Sequence, residues 1–144
     1  MQNTDVLVIG GSAAGIVAAI TGKSSYSEKS FTLIRQEKEC VVPCGIPYIF
    51  GSLESSDKNT VADGVLTKAG IDLMIGEVVS IDTQKKVCKT TDDGEISFEK
   101  LILALGSTPV IPAWLNGADK QNVFSVPKNK DYLDLNKKKN IKTT

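Results

Sequence analysis

Apolar residues follow two different rhythms in the first part of this chain. Asp5-Val6-Leu7-Val8-Ile9 is a short apolar run with the β-branched content of a buried strand. Small residues then interrupt it, and from Ala13 the apolar positions Ile16, Val17, Ala19 and Ile20 recur at helical spacing. The pattern predicts a strand over 5–9, a helix over 13–23, a polar loop over 24–30 and a second strand over 31–34. Strand, helix and strand within about 30 residues is the size of a βαβ unit, whose two strands run parallel.

A charged loop at 35–39 leads to Cys40-Val41-Val42-Pro43-Cys44-Gly45-Ile46-Pro47-Tyr48-Ile49-Phe50. Its end, 46–50, reads as a short helix with Pro47 in the first turn. A further helix is predicted over 60–69, capped by Asn59 or Thr60 and followed by Gly70, and then a strand over 71–75. Segments 77–82, 86–91 and 95–98 predict a small antiparallel meander, turning at Gln84-Lys85 and at Asp92-Asp93-Gly94. Residues 101–105 are continuously apolar, as suits a strand buried on both faces, and they end at Gly106-Ser107-Thr108-Pro109. No internal repeat is evident.

The turn between the first strand and helix carries the first chemical hint. Gly10-Gly11-Ser12-Ala13-Ala14-Gly15 stands where a dinucleotide pyrophosphate rests on a helix N-terminus. Gly10 allows the tight turn, and Gly15 lets the helix approach the strand. Ser12 occupies a place where the fingerprint usually has glycine. A glycine-rich match is weak alone, but here it lies between a strand and a helix. The expected class is α/β, a Rossmann-like FAD/NAD(P)-binding fold with a parallel sheet and a small antiparallel β-meander.

Composition narrows the partners. The chain has 144 residues, enough for one domain that buries about two-thirds of its unfolded surface. Lys+Arg and Asp+Glu are both 17, so no global field favours nucleic acid or an acidic membrane. The run 6–20 is short for a membrane span and is broken by Gly and Ser. The N-terminus lacks a basic signal-peptide region. Three Cys point to free thiols in a reducing, cytoplasmic compartment. There is no His, which removes the commonest general base, and the Cys show no zinc spacing, so no metal is expected. Residues 128–144 carry six Lys against two Asp and little apolar content, and they are expected to form a frayed or disordered tail beyond a domain of residues 1–127.

Three landmarks now stand in order: the Gly10–Gly15 turn, Cys44-Gly45-Ile46-Pro47-Tyr48, and Leu103-Ala104-Leu105-Gly106-Ser107-Thr108-Pro109. Over residues 4–135 they resemble the FAD-binding half of the pyridine nucleotide-disulfide oxidoreductase family. The likeness is to its single-cysteine branch of NADH oxidases, coenzyme A-disulfide reductases and NADH-polysulfide reductases. The resemblance implies that Gly10, Gly11, Ser12, Ala13, Ala14 and Gly15 hold the FAD pyrophosphate. Ala104, Leu105 and Gly106 match a second FAD-contacting turn, and Val78 matches the position whose backbone meets the adenine. The family's ribose-binding acidic residue at the end of the second strand is replaced by Arg35, leaving Glu37 as the alternative. Cys44 matches the redox-active cysteine beside the flavin, and Pro43 before it is counted with the cofactor residues.

The residues around Cys44 agree with that role. A thiol just before a helix faces unpaired N–H groups and a positive dipole end, which favour the thiolate. A thiolate attacks disulfide or polysulfide sulfur, or is oxidised to a sulfenic acid. Cys40 stands one residue too close to Cys44 for the family's two-cysteine spacing, and Cys88 sits in a predicted strand, so both read as packed thiols. The family's His in the first turn is missing, which favours disulfide or polysulfide over oxygen chemistry. Cys40 and Pro43 stand where coenzyme A binders carry other residues, which places coenzyme A in doubt. The resemblance further implies NAD(P)H as electron donor, a small disulfide, polysulfide or oxygen as acceptor, and a homodimer. Family members are about three times longer, so the chain alone is expected not to oxidise NAD(P)H. The alternative is a non-catalytic nucleotide-binding or interaction module that keeps the fold.

Overall fold

The computed structural model describes residues 2–53, 55–120, 123 and 125–140, the last five by their backbone alone. In chain order its elements are β1 (Gln2–Ile9), α1 (Ala13–Ser25), β2 (Phe31–Arg35), β3 (Cys40–Val41), a 3-10 turn (Pro43–Gly45), α2 (Ile46–Phe50) and a second 3-10 turn (Ser56–Asn59). There follow β4 (Thr60–Val61), α3 (Gly64–Lys68), β5 (Asp72–Ile75), β6 (Val78–Asp82), β7 (Val87–Thr90), β8 (Glu95–Leu103) and α4 (Lys130–Asn140). They fall into two compact units, residues 1–40 with 61–106 and residues 41–60 with 107–144.

In the first unit six strands form one sheet in the order β5-β2-β1-β8-β7-β6. β1 pairs in parallel with β2, Ile9 opposite Ile34, and with β8, Ile9 opposite Leu103. β2 pairs in parallel with β5, while β7 runs antiparallel to β6 and to the start of β8. The parallel part therefore has the strand order of a doubly wound half, and the meander extends it. The predicted α/β class is the class observed.

Alternation along the strands sends side chains to two cores. Val8 and Leu33 meet Ile16 and Ala19 of α1 and Leu66 of α3 on one face. Leu7, Ile9 and Ile34 meet Cys88, Ile96 and Phe98 on the other. Each fully buried Val, Leu or Ile side chain among them contributes about 1.5–3 kcal/mol.

Three expectations are corrected. The segments 95–98 and 101–105 are not two strands: Glu95 to Leu103 is one strand, and β1 begins at Gln2 because Gln2 pairs with Ile96. Burial on both faces fails at its end, where Leu103 is 57% exposed and Leu105 69%. The helix over 60–69 shrinks to α3, since the β-branched pair Thr60-Val61 is drawn into pairing with β3, and the cap position falls on Asp63 rather than Asn59 or Thr60. Gly70 does follow it, with φ +71. The meander turns stand as read: Asp82 Oδ1 accepts the N–H groups of Gln84 and Lys85 at 3.0 and 2.8 Å, and Thr90 Oγ1 donates to Asp92.

In the second unit Val41, Ile46, Ile49 and Leu133 form a buried cluster, so α4 docks through a leucine inside the lysine-rich segment. Lys130 pairs with Asp57 at 2.7 Å. Of residues 128–144, expected as a frayed or disordered tail, Lys130–Asn140 form α4, and 141–144 lie outside the described residues. Among the described residues no helix is long and apolar enough to cross a membrane.

Candidate dinucleotide site and cysteine turn

The strand–turn–helix corner follows from two close approaches. The Gly10 N–H donates to Ile34 O at 2.8 Å, and the Ala104 N–H donates to Ile9 O at 2.8 Å. The Gly10 turn and the turn after β8 therefore leave the sheet side by side. Gly10 has φ +116, and a β-carbon there would lie 2.1 Å from Ala104 O. A β-carbon on Gly15 would lie 1.8 Å from Gly10 O. β1 and β8 are sheet neighbours far apart in sequence, and the crevice beyond such strand ends is where open α/β sheets bind ligands.

The start of α1 is equipped for an anion. Ser12 is its cap residue, in extended conformation, yet its side chain makes no cap hydrogen bond, and the first turn holds no acidic residue. First-turn N–H groups are left to an incoming ligand. Ala13 and Ala14 are exposed, and Ser12 is half-buried. Backbone and small side chains are what a site for a diphosphate would need here. Leu105 is exposed beside it, and Gly106 turns the chain away with φ +72.

Arg35 closes the corner at the end of β2. It is 3% exposed, and its stem packs on Gly11, where a β-carbon would meet Arg35 Cδ at 2.3 Å. Nε donates to Glu37 O at 2.8 Å, and Nη2 donates to Lys38 O at 2.6 Å and to the Asp63 carboxylate at 2.8–2.9 Å. Nη1 is buried without a hydrogen-bond partner. Glu37 thus serves Arg35 through its backbone. The carboxylate brought to this corner is that of Asp63, with its side chain 46% exposed. Sequence reasoning missed Asp63 because it stood inside the predicted helix; the local signal was an Asp followed by Gly64, a helix-start pattern. Val78 is half-buried on β6 and packs with the cluster of Leu7, Ile9 and Ile34.

The three cysteines differ in environment. None of the three is in a disulfide; Cys44 is exposed, while Cys40 and Cys88 are buried. Burial pushes both buried thiols up, with Arg35 opposing the effect at Cys40. Cys44 lies in the Pro43–Gly45 turn, before α2. One part of the expected electrostatics is corrected: the Gly45 N–H donates to Val42 O and the Ile46 N–H to Pro43 O, so these N–H groups are engaged within the turn. What the turn supplies is exposure. Among the described residues no group of three His, Cys, Asp or Glu side chains could hold a metal.

Comparison with known proteins agrees with this arrangement. The chain is 34% identical over 136 residues to the NAD(P)H coenzyme A polysulfide/persulfide reductase of Pyrococcus horikoshii, covering 90% of this chain and 30% of that protein. It is 31% identical over 129 residues to the NADH oxidase of Methanocaldococcus jannaschii, covering 83% of this chain and 29% of that protein. The NAD-dependent persulfide reductase of A. fulgidus superposes with a TM-score of 0.73 at 25% identity, over 94% of this chain and 27% of that one. The chain thus spans about 30% of the length of these curated relatives. The family described as pyridine nucleotide-disulphide oxidoreductase matches residues 4–143. This chain belongs to the pyridine nucleotide-disulphide oxidoreductase family.

Proposed function

We propose that this chain is the FAD-binding portion of an NAD(P)H-dependent disulfide or polysulfide reductase. The observation that carries the reading is the paired turn at Gly10 and Ala104, two backbones in contact at the carboxyl ends of adjacent parallel strands. Gly10, Gly11, Ser12, Ala13, Ala14 and Gly15 hold the pyrophosphate, with Ala104, Leu105 and Gly106 beside them. Asp63, held by Arg35, takes the ribose-binding part that the family gives to an acidic residue at the end of the second strand; its half-exposed carboxylate supports this. Val78 supplies backbone to the adenine, and Pro43 borders the flavin. Residues 1–127 form this portion, and the lysine-rich residues 128–144 follow it.

Cys44 is the redox thiol. As thiolate it attacks a disulfide or polysulfide sulfur; the old S–S bond breaks, its other sulfur leaves as thiolate, and Cys44 is left in a mixed disulfide. The flavin, when bound, supplies the two electrons, taken from NAD(P)H, that free Cys44 again. Its exposure among two buried thiols supports the assignment. The protein acts in a reducing cytoplasm as a homodimer.

Incubation of the chain with a small disulfide, followed by peptide mass analysis, tests the thiol assignment. A mixed disulfide forms at Cys44, is abolished by Cys44→Ser and survives Cys40→Ser. An internal Cys40–Cys44 disulfide as the main product would overturn the single-cysteine reading.

A further inference from the structure

We propose that Asn59 is the positioning residue of the Cys44 turn, a clamp that grips both ends of the four-residue turn whose middle carries the thiol. The turn runs from Val42 to Gly45 and is closed by the Gly45 N–H donating to Val42 O at 3.0 Å. Asn59 meets the first end twice. Its backbone oxygen accepts the Val42 N–H at 2.9 Å, and its Nδ2 donates to Val42 O at 2.9 Å. The Val42 carbonyl therefore receives both the bond that closes the turn and the bond from the clamp, one for each lone pair.

Asn59 meets the second end by shape. A β-carbon on Gly45 would lie 1.7 Å from Asn59 Oδ1 and 2.6 Å from its Cγ. Gly45 has φ −87, an ordinary value, so the backbone does not demand glycine there. The Asn59 side chain does. Asn59 is 7% exposed and ends the Ser56–Asn59 turn, so the clamp is anchored in folded structure. Between the two gripped ends stand Pro43, with its fixed φ, and Cys44. A buried carboxamide bonded to one end and filling the space beside the other holds the backbone of the thiol in one place, which in-line attack on a sulfur requires. The purpose of the clamp rests on the redox reading of Cys44, whereas its geometry stands independently.

The test combines hydrogen exchange at the Gly45 amide with the alkylation rate of each cysteine, assigned by peptide mass, across N59A, N59D, G45A and the double variant G45A/N59A. In N59A the Gly45 amide exchanges about fivefold to tenfold faster, the loss of one hydrogen bond's stability. The alkylation rate of the already exposed Cys44 changes about threefold as its backbone is no longer held in one place, while Cys40 and Cys88 stay protected. N59D keeps the shape but loses the donor, and it loosens Gly45 as well. G45A disrupts the turn when Asn59 is present and adds little once Asn59 is alanine. Unchanged Gly45 exchange and Cys44 rate in both N59A and N59D would overturn the clamp, as would strictly additive effects of G45A and N59A. Opening of Cys40 and Cys88 together with Cys44 would overturn it too, by showing general loss of packing. Failure of the redox reading has a separate sign: the clamp effects persist, but Cys44 forms no mixed disulfide.

Discussion

Gly15 lies so close to Gly10 that a β-carbon on it would stand 1.8 Å from the Gly10 carbonyl oxygen. Backbone faces backbone here, so no rotamer relieves the clash. Gly15→Ala should cost about 3 kcal/mol or more, read as a fall in the urea midpoint. Gly64 is the control, since a β-carbon there meets nothing within 4 Å. Gly64→Ala, at the start of a helix, should be neutral or stabilise by up to about 1 kcal/mol.

Arg35 and Asp63 form the second prediction. The guanidinium side is 2% exposed and the carboxylate side 46%, so solvent screens the pair only from one side. Asp63→Asn leaves a buried cation short of its counter-charge and should cost about 2 kcal/mol. Arg35→Met, which removes the buried charge and keeps the stem on Gly11, should cost less. The two variants are compared by thermal unfolding. A larger loss for Arg35→Met would show that the buried charge contributes more stability than its desolvation costs.

Acid stability should carry the mark of Asp5. Its carboxylate accepts the Ser30 N–H and Ser30 Oγ, each at 2.7 Å, and pairs with Lys29 at 3.2 Å. The Ser30 backbone bond, then its hydroxyl, then Lys29 hold the group down to about 2, from an ordinary 3.8. A depressed folded value means the contribution is full above about pH 4 and is lost as the pH falls towards 2. Asp5→Asn should flatten that part of the stability–pH curve and leave the curve above pH 5 parallel to the wild type. An unchanged slope between pH 4 and 2 would contradict the assignment.

Much of the first unit was legible in the sequence because its signals are local. The change from an apolar run to helical spacing at Ala13 fixed the β1–α1–β2 corner, and the small residues between 10 and 15 told where backbones touch. What was illegible depends on partners distant in sequence. Thr60-Val61 carries helical and strand readings equally, and pairing with residues 40–41 decides it. Asp63 comes to the end of β2 only because Arg35 reaches it from 28 positions away. Asn59 looked like a helix cap; it grips the Cys44 turn only because the chain returns to Val42. Leu133 and Leu135, two positions apart, gave no helical periodicity, yet Leu133 is fully buried.

The central claim is that the paired turns at Gly10 and Ala104 receive the diphosphate and adenosine half of FAD. The most direct measurement is an equilibrium titration of this chain and of its Gly15→Val variant with FAD, ADP and FMN. FAD and ADP should bind the wild type and compete with each other, FMN should bind far more weakly, and Gly15→Val should lose both FAD and ADP at a temperature where its far-UV circular dichroism still shows the secondary structure of the wild type. Binding of FMN as tight as that of FAD, or FAD affinity unchanged in a folded Gly15→Val variant, would contradict it.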